Sequence, residues 1–268
     1  MSSNNITAPH TAITTWSGFI YQGKVAIHHT LKLLDTIDNC EDYVLQLDSL
    51  EDFSILNSSG EIQSMHQVKA KGTQHYSGYR KAFSDTTTKA TEQSCTKVFF
   101  HLAREIKDKT VPQIQTDHNP LIIYTYGEDA WCPVDGIDQK IEEQLKLLGD
   151  NPTKKSDEYV CRAREALDQI VMKQVLKIHR MNHDDIATAR SLAYNETINF
   201  SKFQEVLNRD VTQDGQGDGY FFYKLLIDLN RYYQNYCIRQ EEDPNWDDDK
   251  GKKLSLYMKK IGELDKEE

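Results

Sequence analysis

The chain has 268 residues and a mass of 31.0 kDa, enough for one large domain or two small ones with separate cores. No apolar run approaches the ~20 residues of a membrane-spanning helix, and residues 1–15 lack the charged and apolar regions of a signal peptide. Five cysteines are scattered without a C-x-x-C pair, which argues against a disulfide framework and a thiolate zinc site. We therefore expect a cytoplasmic protein that does not enter a membrane.

The net charge of −10 has the wrong sign for a protein that coats nucleic acid, but the charges are unevenly distributed. Residues 61–109 carry nine Lys and Arg side chains against five Asp and Glu, so the negative excess lies elsewhere. This stretch can form a surface that faces phosphate groups. The alternative is that its lysines only solvate a helix.

The first predicted element is a helix over residues 15–37, which follows a polar N-terminal arm over 1–15. Ser17 is its expected N-cap. Gly18 and Gly23 each weaken a helix by roughly 1 kcal/mol relative to Ala, which indicates close packing against another element. The apolar residues that define its buried stripe are Ile20, Ile27, Leu31 and Leu34.

Three short strands are predicted next, over Tyr43–Leu47, Asp52–Leu56 and Ile62–Lys69. Residues 57–60, with the sequence Asn-Ser-Ser-Gly, supply a hairpin turn between the second strand and the third. The chain is organised around this unit.

The hairpin of the second and third strands contains the best chemical site in the sequence. Side chains alternate between the two faces of a strand, so Gln67 and Lys69 share one face. Pairing with the second strand can bring the Asp52 carboxylate beside the Gln67 amide and the Lys69 ammonium. An acid, an oxygen ligand and a cation then meet at one strand pair.

A Gly-rich, aromatic and basic loop follows the third strand directly. Lys71, Arg80 and Lys81 are the candidate contacts to a DNA backbone, and Tyr76 or Tyr79 can pack on sugars or bases. An ordinary connection between two elements would have much the same composition.

The rest of the chain predicts one more strand and several helices. A long helix is expected over 84–107, and the apolar, aromatic run over 120–126 predicts a buried fourth strand. The order helix, three strands, helix, strand is an α/β core, expected within a domain over 16–130. Residues 131–268 read as an all-α region, with candidate helices over 137–148, 156–179, 186–194, 200–208 and 219–240.

Several classes of site are not expected. There is no phosphate-binding G-x-x-x-x-G-K-[ST] loop and no Ser elbow, which argues against nucleotide hydrolysis and acyl transfer. His179 and His183 have the spacing of a zinc pair but lack a third ligand. Residues 210–221 resemble a calcium loop, yet Phe221 takes the place of its required Glu.

Three short motifs carry a resemblance to a known family. G-F-I-Y-Q at 18–22, E-D-F-S-I at 51–55 and H-Q-V-K at 66–69 resemble the Mrr-like branch of the PD-(D/E)XK nucleases. The core of that superfamily has the restriction-endonuclease-like order αβββαβ, which is the order predicted here. The resemblance covers residues 16 to about 127. The N-terminal sequence also resembles effector nuclease subunits of Lamassu-type anti-phage systems, which are ABC three-component systems with an SMC-like ATPase, and CBASS-associated DNA endonucleases.

The resemblance implies hydrolysis of double-stranded DNA with Mg²⁺ or Mn²⁺. Asp52, the Gln67 side chain and the Val68 carbonyl would supply oxygen ligands. Lys69 would orient or help to deprotonate the attacking water and neutralise the charge that develops on phosphate. Gln22 would lie at the rim of the site, where it would hold water or a second metal ion.

Two departures from the family pattern leave alternatives open. Gln67 replaces the acidic residue of the commoner motif, as in the Mrr-like branch, and removes one negative charge from the site. Asp48 and Glu51 also lie close to Asp52 in the sequence, so either could be the metal ligand.

Three functions remain open. The favoured one is an endonuclease effector whose C-terminal region docks on an SMC-like ATPase and a small middle subunit, or drives self-association on activation. A CBASS-type effector would carry a nucleotide-sensing domain, for which about 140 helical residues are too few.

The second function is a catalytically inactive adaptor with a nuclease fold, consistent with the acidic pI of 5.4 and with Gln67. The third is a helical interaction protein without nuclease ancestry.

Overall fold

A mixed β-sheet of six strands forms the centre of the fold in the computed structural model, which describes residues 12–48, 50–184 and 196–208. Its strands are β1 (Val44–Leu47), β2 (Phe53–Leu56), β3 (Ile62–Lys69), β4 (Val98–Leu102), β5 (Leu121–Ile123) and β6 (Thr197–Asn199). The helices are α1 (Ala12–Thr36), α2 (Arg80–Glu92), α3 (Val111–Asp117), α4 (Ile137–Leu148), α5 (Asp157–Asp184) and α6 (Phe200–Asn208), with a 3₁₀ turn at Tyr76–Gly78. All described residues fall within one compact unit, residues 1–212.

The strand order across the sheet is β5-β4-β3-β2-β1-β6. β1, β2 and β3 form an antiparallel meander, and β6 pairs antiparallel with β1. β3, β4 and β5 run parallel to one another. The parallel pairs require crossover connections, which contain α2 and α3.

The predicted αβββαβ order is confirmed, and it argues against a purely helical interaction protein. β1 and β2 each begin one residue later than expected, and β3 has the predicted bounds. The turn before β3 forms because the Asn57 side-chain oxygen accepts hydrogen bonds from the backbone N–H groups of Ser59 and Glu61. Gly60 takes the positive φ of 78° that this turn requires.

The helix predicted over 84–107 is wrong in most of its length. α2 ends at Glu92, Ser94 adopts a left-handed φ of 53°, and the apolar residues at 98 and 102 lie in β4. A spacing of four fits both a helix stripe and one face of a strand, so the pattern could not separate them. The fourth strand of the core is therefore β4, and the predicted strand over 120–126 is the fifth, β5.

The start of α1 also differs from the expectation. The helix begins at Ala12, so Ser17 lies inside it and is not its N-cap. Close packing is confirmed at Gly23, where a Cβ atom would lie 3.0 Å from Val171 Cγ1, but nothing lies within 4 Å of a Cβ atom at Gly18.

The two faces of the sheet are covered by different helices. α1, α4, α5 and α6 share one apolar core with the sheet, in which Val25, Ile141, Leu167 and Phe203 are buried. α2 and α3 cover the opposite face in two smaller apolar clusters. Residues beyond 131 thus contribute to the same core as α1, and β6 adds an unpredicted strand to the sheet. The domain boundary at residue 130 stays a prediction.

Polar side chains form a continuous hydrogen-bonded line through the larger core. Along this buried line, the atoms in contact are Ser64 Oγ and His66 Nε2 at 2.8 Å, His66 Nδ1 and His101 Nε2 at 3.0 Å, and His101 Nδ1 and Tyr126 Oη at 2.8 Å. Tyr126 is then hydrogen-bonded to Tyr21, whose hydroxyl donates to the Cys132 carbonyl over 2.6 Å.

The direction of every bond in this line follows from its last acceptor. The Cys132 carbonyl can only accept, so Tyr21 donates to it and must accept from Tyr126. His101 therefore carries its proton on Nδ1, as does His66, and the Ser64 hydroxyl donates to His66. Burial lowers the pKa of both imidazoles well below 6.5, which keeps them in these neutral tautomers.

Some predicted elements lie outside the described residues. They are most of the N-terminal arm, the helices over 186–194 and 219–240, the calcium-like loop, and the side chains of His179 and His183. Among the helices that are described, none combines the length and the apolar character needed to span a membrane.

The buried histidines predict acid sensitivity. Burial lowers the pKa of His28 to about 4 and of His29 to about 3, and it also lowers those of His66 and His101. The unfolded chain binds protons at these sites below about pH 6.5, and the folded state does not. We expect the free energy of unfolding to fall as the pH drops from 6.5 towards 4, by up to about 1.4 kcal/mol per unit for each histidine.

Urea titrations at several pH values measure this slope. The variant His75→Gln, which removes an exposed histidine, should show the same dependence of stability on pH as the natural protein. A stability that stays constant between about pH 7 and pH 5 would contradict the prediction.

Candidate active site

Asp52 lies directly before β2, and its carboxylate faces the end of β3. Its Oδ2 atom accepts hydrogen bonds from the Gln67 side-chain amide and, over 2.6 Å, from the Val68 backbone N–H. Phe53 pairs with His66, so the antiparallel register sets Asp52 opposite Gln67. The structure thus brings Asp52 and Gln67 together as the alternation of the two strands predicts.

Burial makes this carboxylate a weaker acid than usual. Desolvation raises the pKa of Asp52 from 3.8 to about 6, although Lys69 and the Val68 N–H lower it and Glu51 raises it further. A carboxylate of this kind gains from a nearby positive charge more than an exposed one does. A perturbed acid at a pocket is a common feature of functional sites.

A pocket of about 390 Å³ opens beside this pair, between β3 and α2. Gln67 and Lys69 line it from the sheet, and Glu51 lines it from the bend before β2. The residues that α2 contributes are Ala82, Asp85, Thr88, Lys89 and Glu92.

Glu51 is the most deeply buried acid of the pocket, with 4% of its side chain exposed. Its Oε2 atom lies 3.2 Å from the Lys89 ammonium, which is 51% exposed. Its Oε1 atom is buried without a hydrogen-bond partner. The chain bends over residues 50–52, which allows the neighbouring carboxylates of Glu51 and Asp52 to reach the same region.

The donors at this site suit a hard divalent cation. Asp52, the Gln67 side chain and the Val68 carbonyl offer oxygen atoms, which Mg²⁺ and Mn²⁺ prefer. The N–H and C=O of one strand residue point to the same neighbouring strand, so the Val68 carbonyl faces the Asp52 side. Among the described residues, no three His, Cys, Asp or Glu side chains are grouped to hold a metal ion, so water and a substrate phosphate would have to complete the coordination.

The three predicted DNA contacts lie in the loop after β3 and at the start of α2. Arg80 and Lys81 are exposed. The Lys71 ammonium donates to the Gly78 carbonyl over 2.7 Å and lies 5.7 Å from the centre of the Tyr79 ring. Lys71 therefore stabilises its own loop, while the charges of Arg80 and Lys81 are exposed to solvent.

Gln22 lies on α1 and is partly exposed, and it does not line the pocket beside Gln67. Its role at the rim of the site stays a prediction. Asp48 has a positive φ of 50° and does not line the pocket either. Of the two alternatives to Asp52, Glu51 is the one that the fold brings to the site.

Sequence reasoning missed the α2 side of the pocket. Asp85, Lys89 and Glu92 recur at spacings of four and three, which places them on one stripe of a helix. The stripe lies within the predicted helix over 84–107, but the sequence does not show that this face of the helix packs beside β3.

A comparison with known families assigns the second half of the chain. The family model for C-terminal domain 1 of the ABC-three component (ABC-3C) systems matches residues 121–268. The chain belongs to this ABC-3C family. It is therefore a component of a multi-component defence system of this type, as the resemblance in its N-terminal half led us to expect.

The ABC-3C match begins at β5, and among described elements it includes α4, α5, β6 and α6. It does not cover the residues of the candidate active site, which lie in the bend before β2, in β3 and in α2. No curated protein and no solved structure matches the chain.

The desolvated carboxylate predicts an unusual stability effect. The folded state raises the pKa of Asp52 from 3.8 to about 6. The free energy of unfolding therefore falls as the pH rises from 3.8 to about 6, and this loss is complete at higher pH. We expect Asp52→Asn to raise the free energy of unfolding by about 1–3 kcal/mol near pH 7.5, and by less near pH 5.

Urea unfolding at the two pH values measures this difference. Asp85→Asn, at an exposed acid of the same pocket, is the matched control and should change stability by less than about 0.5 kcal/mol. If Asp52→Asn lowered stability at both pH values, its hydrogen bonds would outweigh the desolvation of its charge.

Proposed function

We propose that this ABC-3C component is a metal-dependent endonuclease that cleaves double-stranded DNA as the effector of its defence complex. The observation that carries the proposal is the pairing of the Asp52 carboxylate with Gln67 and the Val68 N–H beside a pocket that Lys69 also lines. The αβββαβ core on which these groups lie has the order of the PD-(D/E)XK superfamily. The ABC-3C match favours this system over a CBASS-type effector.

Each residue of the site has a distinct part in this proposal. Asp52, Gln67 and the Val68 carbonyl would hold Mg²⁺ or Mn²⁺, which lowers the pKa of a bound water and stabilises charge on phosphate when it is present. The Lys69 ammonium orients the attacking water and neutralises charge on the phosphate oxygens as they become more negative. Asp52 must be ionised to act, so its pKa of about 6 predicts that activity falls in acid.

DNA would approach from the side of the loop after β3. Arg80 and Lys81 are exposed at the N-terminal end of α2, where the helix dipole adds to their attraction for phosphate. The pocket itself carries more acidic than basic side chains, so a phosphate group would be repelled without a bound cation. This charge balance is consistent with a nuclease that acts only with metal.

The proposal also includes the partners of this chain. An ABC three-component system of the Lamassu type has an SMC-like ATPase and a small middle subunit, and these are the proposed partners. The ABC-3C region would then dock on them or drive self-association of the effector. A catalytically inactive adaptor is the competing function, and it is supported by Gln67 in place of an acid.

A cleavage assay tests the proposed reaction. Purified protein is incubated with linear and supercoiled double-stranded DNA, with and without Mg²⁺ or Mn²⁺. We expect metal-dependent cleavage that Lys69→Ala reduces by at least about a hundredfold, because the variant loses the charge at the reacting phosphate. The fold should persist, since a partly exposed lysine contributes little to stability.

The matched control is Lys97→Ala, an exposed lysine just before β4 that does not line the pocket. It should cleave like the natural protein. An effector can stay silent until its partners release it, so the assay is repeated with the ATPase and the middle subunit. Absence of cleavage in both settings would favour the adaptor.

The DNA contacts make a separate prediction. Arg80→Ala and Lys81→Ala should each weaken binding to a short labelled duplex severalfold and lower the salt dependence of the binding constant by about one unit. Fluorescence anisotropy with Ca²⁺ at several salt concentrations measures both quantities. If neither variant changes the salt slope, DNA does not pass over this end of α2.

A further inference from the structure

The acids and bases of the pocket do not balance. Glu51, Asp85 and Glu92 line it, together with the ammonium groups of Lys69 and Lys89, and the Asp52 carboxylate lies beside it. Four acids therefore meet two bases. Asp85 and Glu92 are exposed and solvated, but Glu51 and Asp52 are not.

Glu51 is the buried acid of this set that has a carboxylate oxygen without a hydrogen-bond partner. Its side chain is 4% exposed, one oxygen contacts Lys89, and the other oxygen has no hydrogen-bond partner. A buried carboxylate oxygen without a partner is destabilising. The contact with Lys89 satisfies only one of the two oxygens, and the Glu51 side chain lines the pocket.

Lys89 is a replaceable partner for Glu51. Its ammonium is 51% exposed on a flexible stem, and an ion pair of this exposure contributes little to stability. A divalent cation carries twice the charge of an ammonium group and binds carboxylate oxygens more strongly. Displaced from Glu51, the Lys89 side chain can extend into solvent.

We infer that Glu51 is a second carboxylate ligand of the divalent cation held by Asp52, and that Lys89 competes with this cation for Glu51. The inference rests on the proposed metal-dependent function and deepens it. Glu51, which is adjacent to Asp52 in the sequence, supplies the second acidic ligand that is missing because residue 67 is a glutamine. Lys89 then acts as an internal competitor that raises the metal concentration at which the site fills.

Opposite effects on metal affinity distinguish this inference from a structural ion pair. Calorimetric titration with Mn²⁺, without DNA and near pH 8, measures the affinity directly. We expect Glu51→Gln to weaken Mn²⁺ binding by about tenfold, and Lys89→Met to tighten it about two- to fivefold. Lys97→Met removes one charge from an exposed lysine outside the pocket and should leave the affinity unchanged.

The double variant Glu51→Gln/Lys89→Met completes the test. Lys89→Met should have no effect once Glu51 is replaced, because Lys89 is inferred to act on the metal only by competing for the Glu51 carboxylate. Unchanged affinity in Glu51→Gln, weaker affinity in Lys89→Met, or no Mn²⁺ binding by the natural protein would overturn the inference.

These outcomes are separate from those of the cleavage assay. Mn²⁺ binding with the expected changes but without cleavage would support the inference and contradict the nuclease. Cleavage with an affinity that Glu51→Gln does not alter would support the nuclease and remove Glu51 from the metal site.

Discussion

The hydrogen-bonded line from Ser64 to the Cys132 carbonyl constrains the rest of the structure. Ser64 and His66 face the larger core, and because side chains alternate, Gln67 and Lys69 must face α2 and the pocket. A register slip of one residue in β3 would bury the lysine and expose the histidine. The line also has a single direction, since its last acceptor is a carbonyl, so each imidazole must remain neutral with its proton on Nδ1. The site on one face of β3 therefore depends on buried polar groups on the other face.

The same line joins the two halves of the chain. Tyr21 lies on α1 and His101 on β4, whereas Tyr126 and Cys132 lie in the region that the ABC-3C family model matches. That region also supplies both edge strands of the sheet, β5 and β6. Edge strands left open are prone to pairing with other chains, and here the ABC-3C region flanks the four strands of the core on both sides. In the described residues it completes the fold that carries the candidate site.

Two neighbouring acids of the candidate site are incompletely compensated. Asp52 is held by two donors yet has a raised pKa, and the neighbouring Glu51 contacts a half-exposed lysine with only one of its oxygens. Both features destabilise the fold, and both would be relieved by a cation at the pocket. Functional sites commonly contain groups that lower the stability of the fold and are retained because activity requires them. It links the proposed nuclease to the inferred competition between Lys89 and metal, because the same unbalanced acids explain both.

Local rules determined the unit that carries the chemistry. The alternation of β2 and β3, and the turn that the Asn57 side chain organises, are contained within residues 43–71, so the opposition of Asp52 to Gln67 could be predicted. Tertiary structure alone decided what surrounds them. Apolar residues at 98 and 102 fit a helix or a strand equally well, and only pairing with β3 made them β4. Lys89 reaches Glu51, and His101 reaches His66, across 38 and 35 positions of sequence. Such contacts and the pKa of Asp52 depend on burial by distant segments, and no local pattern encodes which distant segments will pack together.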